Sequence, residues 1–148
     1  MPRNILTSVL VFVLLLLPHG MYAQAQEVGP ALGTWELSGK DRREWKAVLV
    51  ISKRDGAGYA GFLKWRALGG EPAGGSEQFK GVFNSSTKVI TLKGMDMKDK
   101  KGSIASGSIY EATVTQDGRA LRNGTWFGPN VAPGTWFANW VNGEMPEP

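Results

Sequence analysis

The side chains best able to do chemistry are few in this chain. Histidine occurs once, at His19, and cysteine not at all. His19 lies in an N-terminal segment that reads as a cleaved export signal, so the mature chain keeps neither imidazole nor thiol. That excludes Ser-His-Asp and Cys-His nucleophilic catalysis, zinc and copper sites of the usual ligand types, and the side chain best suited to proton transfer near neutral pH. No cofactor and no metal are therefore expected. The carboxylates Glu36, Glu44, Glu111 and Asp117 are of the type that performs glycoside hydrolysis in pairs. Nothing in their spacing brings two of them together, and Glu111 alternates with Tyr110 and Ala112, which directs it to solvent. The stretch Lys93 to Lys101 offers lysines for an anion and Asp96 and Asp99 for a cation. It lacks the oxygen-ligand spacing and fixed glycine of a calcium loop and reads as a solvated loop.

Aromatic side chains are the other chemical resource, and there are six tryptophans. Each buries a large area, so filling the interior of a small β-domain is one role for them. Stacking on a sugar or an apolar ligand is the other. Tyr59, Trp65, Tyr110, Trp126, Trp136 and Trp140 are the candidate ligand-binding residues. Strand alternation puts Trp136 and Trp140 on one face and Phe137 on the opposite one, so at least one aromatic there is expected to be partly exposed.

The elements that position these residues are strands. From Gly33 onward, short runs rich in β-branched and aromatic residues alternate with period 2 between Gly, Asp, Asn, Pro and Ser clusters. Trp45, Ala47, Leu49 and Ile51 share one face, as do Tyr59, Gly61, Leu63 and Trp65, and the turn between them is Asp55-Gly56-Ala57-Gly58. Phe79, Gly81 and Phe83 alternate in the next run, which begins at Gln78. A further hairpin turns at Asp117-Gly118, and the last strand runs from Gly134 to Val141. Eight mostly hairpin-connected strands without a helix predict an all-β fold, an antiparallel up-and-down β-barrel that removes both sheet edges. A two-sheet β-sandwich is the alternative. The expected organisation is a helical signal peptide over residues 1–25, a short N-terminal segment over 26–32, the barrel over 33–141 and a flexible tail over 142–148.

The signal reading rests on Arg3, the apolar run from Ile5 to Leu17, and the small-residue triplet Ala23-Gln24-Ala25. The run falls short of the roughly 20 apolar residues that span a bilayer. Cleavage after Ala25 leaves a single-domain length whose formal charge is one less than the +4 of the whole chain. The cations are scattered, which is not the footprint of a nucleic-acid binder. A disulfide-free exported domain points to a secreted or periplasmic protein, with a bacterial envelope favoured. Asn84-Ser85-Ser86 and Asn123-Gly124-Thr125 match the glycosylation acceptor pattern, which arises often by chance.

Gly-Thr-Trp occurs three times, at residues 33–35, 124–126 and 134–136. The first copy resembles the Gly-x-Trp that opens strand one in lipocalins and avidins, members of the calycin group of barrels. The resemblance implies that Gly33 and Trp35 form a structural plug at one end while ligand enters at the other. It covers this motif and the eight-strand layout, without the later lipocalin motifs or avidin-type biotin contacts, so retinoid and biotin binding do not carry over. The run Leu32 to Gly39 also looks like the first strand of small periplasmic metalloprotease inhibitors. That resemblance implies a role for the segment Gln26 to Ala31, although the usual disulfide is absent. The function expected is non-enzymatic: an exported barrel that binds a small apolar or carbohydrate-like molecule, or an envelope or extracellular partner, through its mouth or an exposed aromatic patch. A protease-inhibitor-like or other protein-interaction barrel is the alternative, and a carboxylate-dependent hydrolase the remote one.

Overall fold

The computed structural model describes residues 28–67, 75–98, 106–129 and 131–148. The expected signal peptide and most of the two longest loops lie outside them. The eight strands are β1 (Gly33–Lys40), β2 (Glu44–Asp55), β3 (Gly58–Ala67), β4 (Ser76–Asn84), β5 (Val89–Lys98), β6 (Ile109–Val114), β7 (Ala120–Gly128) and β8 (Val131–Asn142). Each pairs antiparallel with the next, and β8 returns to pair with β1, closing a barrel in up-and-down order. The chain thus has the calycin-like layout, and the sandwich alternative is set aside because one sheet closes on itself. Among the described residues there is no helix, hence none long and apolar enough to cross a membrane.

The alternation read from the sequence sets which side chains point inward. Trp35 and Leu37 on β1, Leu49 and Ile51 on β2, and Leu63 on β3 are at most 1% exposed and belong to one contiguous core. Glycines on the inward face make room for large neighbours. A side chain on Gly61 would overlap the Val50 carbonyl and crowd the Phe79 ring, and one on Gly81 would press into Leu92.

The end of the barrel that carries the β2–β3, β4–β5 and β6–β7 turns is closed by the chain's own N-terminal segment. Ala31 N donates to the Gly118 carbonyl at 2.9 Å, and the Trp35 indole donates back to the Ala31 carbonyl at 3.2 Å. The Trp140 indole donates to the Leu32 carbonyl at 3.0 Å, and the Arg119 guanidinium lies 4.7 Å from a Trp140 ring. Gly29 and Pro30 are buried, with Gly29 so close to the Tyr59 hydroxyl that any side chain there would overlap it. Gly33 has φ of 125°, a backbone geometry that favours glycine, and a Cβ there would collide with the Asn142 carbonyl. The first Gly-Thr-Trp is therefore a joint between strand entry and plug.

Val50 and Phe62 point outward by the same alternation, yet they are 0% and 5% exposed and stand outside the core cluster. The C-terminal segment covers them. Thr34 Oγ1 donates to the Glu144 carbonyl at 2.6 Å and Lys64 Nζ to the Glu147 carbonyl at 2.9 Å, which carries residues 144–147 from β1 over β2 to β3.

Candidate functional site

At the opposite end, aromatic side chains from five strands converge. Trp65 on β3 stacks with Tyr110 on β6 at 6.0 Å between centroids. It also meets Trp45 at 6.1 Å and Trp126 at 5.8 Å edge-on, and Tyr110 meets Trp136 at 6.3 Å in the same manner. Edge-to-face and offset contacts at these separations are the favoured aromatic geometries.

The second and third Gly-Thr-Trp copies build this cluster jointly. In the β7–β8 pairing Gly124 lies opposite Trp136, Thr125 opposite Thr135 and Trp126 opposite Gly134. Each tryptophan ring therefore covers the other copy's glycine: a Cβ on Gly124 would press into the Trp136 ring, and one on Gly134 would overlap Trp126. The indoles are pinned too, Trp126 donating to the Ala132 carbonyl and Trp136 to the Thr125 carbonyl, both at 2.9 Å. The repeat is a reciprocal packing device of two adjacent strands.

A carboxylate sits beneath the cluster. Glu77 on β4 is 0% exposed; its Oε2 accepts from the Tyr110 hydroxyl at 2.6 Å and its Oε1 from Gly107 N at 3.1 Å. Gly94 on β5 leaves the space that the carboxylate fills. Burial pushes the Glu77 carboxyl above its ordinary range, against the pull of its hydrogen bonds, and among the described residues no cation acts on it. The Tyr110 phenol is raised as well, first by burial and then by the Glu77 charge. The Trp65 indole N–H favours the same carboxylate but completes no hydrogen bond among the described residues. The strand reading that began at Gln78 missed Glu77. Extending the Phe79, Gly81, Phe83 alternation back by one step would have found it.

The interior of this end is thus packed: Trp65, Tyr110, Trp126 and Trp136 are all between 3% and 6% exposed. Among the described residues an open groove of about 680 Å³ lies on the outer wall across β7, β8, β1 and β2. Two cross-strand rows form its face. One runs Lys46, Ser38, Phe137 to Arg122, the other Glu44, Lys40, Thr135 to Thr125. Phe137 is 46% exposed in the middle of the first row. The pairing of β7 with β8 is irregular between Leu121 and Gly124, where Asn123 takes φ of 52°. Such a bulge bends the strand and redirects side chains. Here Arg122 swings over the Phe137 ring at 6.0 Å, and its Nη1 donates to the Leu121 and Ala138 carbonyls at 3.0 and 2.9 Å. The half-buried Trp45 adds an aromatic edge to the groove, with Arg43 stacked on it at 5.2 Å and its indole held by Asp41 Oδ1 at 3.0 Å.

Of the six aromatics singled out by sequence, Trp65, Tyr110, Trp126 and Trp136 meet at one end, whereas Tyr59 and Trp140 belong to the plugged end. Trp136 alone of the six also borders the wall groove. The four carboxylates weighed for acid/base chemistry stand on β1 (Glu36), β2 (Glu44), β6 (Glu111) and the β6–β7 turn (Asp117). Glu111 accepts from Thr91 Oγ1 at 3.3 Å, and Asp117, its carboxyl held low first by the Thr115 hydroxyl, caps its own turn. Of the charged loop, Lys93 and Asp96 are exposed on β5, and residues 99–105 lie outside the described part. Asn84 caps the β4–β5 turn through its side-chain oxygen, and Asn123 is exposed at the bulge. Ser38, Lys46 and Arg122 carried no sequence signal, because only the pairing register makes them neighbours. Compared with known protein families, with curated proteins and with solved structures, the chain matches none.

Proposed function

We propose that this chain is an exported, non-enzymatic binding domain that takes a carbohydrate-like ligand on its barrel wall. The observation that carries this reading is the groove around Phe137: an exposed aromatic ring flanked by the hydroxyls of Ser38, Thr125 and Thr135 and by the Asn123 amide. An apolar ring face beside several hydrogen-bonding groups suits a sugar, which has one apolar ring face and a hydroxylated rim. The interior carriage practised by lipocalins and avidins has less support, since the tryptophans here pack on one another and on glycines. The inhibitor-like alternative needs a free N-terminal segment, whereas residues 28–31 are engaged with the chain's own barrel. The dispersed carboxylates favour binding over hydrolysis, and the export signal is the ground for a secreted or periplasmic location.

Because Trp45 and Trp136 border the groove, tryptophan fluorescence reports on it directly. Titration with a panel of oligosaccharides and lipids is expected to give a saturable change with at least one glycan, weakened about tenfold in Phe137→Ala, a loss of roughly 1.4 kcal/mol. Saturable binding that Phe137→Ala leaves intact, or binding of lipids alone, would overturn the assignment to the wall groove.

A further inference from the structure

We infer that the wall groove selects an acidic saccharide, one that carries a carboxylate or a comparable anionic substituent beside a sugar ring; the inference rests on the binding reading above. Three cations line the groove, Lys40, Lys46 and Arg122, against one carboxylate, Glu44. A second carboxylate, Glu36, stands one row away on β1, opposite Val48 and Asn139 rather than in the groove.

The placement of the cations matters more than their number. Lys46 and Arg122 stand at opposite ends of the row whose middle is Ser38 and Phe137. Lys46 Nζ donates to Ser38 Oγ at 2.6 Å, which draws its charge in over the groove. Arg122 is fastened by three hydrogen bonds, two to backbone carbonyls and one from Nη2 to Asn139 Oδ1 at 2.7 Å. None of these acceptors is a formal anion, so the guanidinium is oriented without being neutralised. Among the described residues neither Arg122 nor Lys40 nor Lys46 has an ion-pair partner. A preoriented cation loses little side-chain freedom on meeting an anion. A ligand with a ring to lie on Phe137 and an acid group to reach Lys46 or Arg122 would satisfy both features at once, whereas a neutral sugar would use the ring alone.

Isothermal titration calorimetry on the mature chain, with an oligogalacturonate, a sulfated oligosaccharide, the neutral galactose oligomer and inorganic phosphate, distinguishes the sources of the anion. The expected result is that one of the acidic oligomers binds at least about tenfold more tightly than the neutral one. That advantage should shrink as salt rises from about 50 mM to about 500 mM, because screening lengths fall below the size of the groove. The Lys46→Gln/Arg122→Gln double variant should remove most of the advantage, read within that variant as the ratio of the acidic to the neutral oligomer's affinity. Both substitutions are on the outer wall, and an unchanged melting temperature establishes that the variant is folded. Equal affinities for acidic and neutral oligomers, or a preference that the double variant leaves intact, would overturn the inference while the glycan-binding reading stands. Phosphate binding as tightly as the acidic oligomers would overturn it as well, since the sugar ring would then contribute nothing. If no oligomer binds, both fall together.

Discussion

The two ends of this barrel are filled by the same kinds of residue, aromatics over glycines, but they solve the problem differently. At the plugged end Trp35, Tyr59 and Trp140 close over the chain's own N-terminal segment, and the buried Tyr59 hydroxyl has no hydrogen-bond partner among the described residues. At the other end no segment of the described chain serves as a plug. Five aromatics from five strands pack on one another instead, and the buried Tyr110 hydroxyl binds a buried carboxylate. One end is thus sealed by the hydrogen-bonded N-terminal segment and leaves the Tyr59 hydroxyl idle, as the Trp65 indole N–H is idle at the other. The other relies on a polar pair whose members depend on each other.

Substitutions at matched positions break or sharpen this contrast. The largest effect belongs to the plug: Trp35→Ala is expected to destabilise the fold by about 3–5 kcal/mol, as for the loss of a large buried aromatic. Chemical denaturation measures it, and a small change would mean that the N-terminal segment closes the barrel without its tryptophan. The two tyrosines come next. Tyr110→Phe strands a buried Glu77 oxygen and should cost about 1–3 kcal/mol. Tyr59→Phe removes a hydroxyl that has no partner among the described residues and should be close to neutral, or stabilising by less than about 1 kcal/mol. Equal losses in the two variants would erase the distinction between the ends.

The subtlest test is titration. The folded-state pKa of Glu77 is raised from its ordinary value of 4.5, so the folded protein holds this proton more firmly than the unfolded chain. Its contribution to stability is fully present below that value and is lost as pH rises through the folded-state pKa. The stability difference between the wild type and Glu77→Gln should therefore move against the wild type as pH increases from mildly acidic towards neutral. A difference that stays flat with pH would show that Glu77 keeps its charge at no cost in the folded state.

Much of the fold was legible because β-alternation is a local property. Trp45, Ala47, Leu49 and Ile51 announce one inward face by themselves, and the Asp-Gly turns announce the hairpins, so strand number and up-and-down order followed without any knowledge of partners. The site was less legible. Alternation separated Phe137 from Trp136 and Trp140, and Phe137 is indeed exposed, but its companions Ser38, Lys46 and Arg122 lie on three other strands. Likewise the Gly-Thr-Trp repeat was visible as a pattern, while its meaning on β7 and β8 waited on the register that sets Gly124 against Trp136 and Gly134 against Trp126.

By itself, then, the sequence determined the all-β class, the inward and outward faces, and a chain with one histidine, His19, and no cysteine. Only the tertiary structure decided that the candidate aromatics divide between two ends, that Glu77 is buried among them, and that an open groove lies on the wall. The physical reason is that facing depends on a residue's own position in its strand, whereas neighbours depend on register, bulges and closure, which link residues as distant in sequence as Thr34 and Glu144.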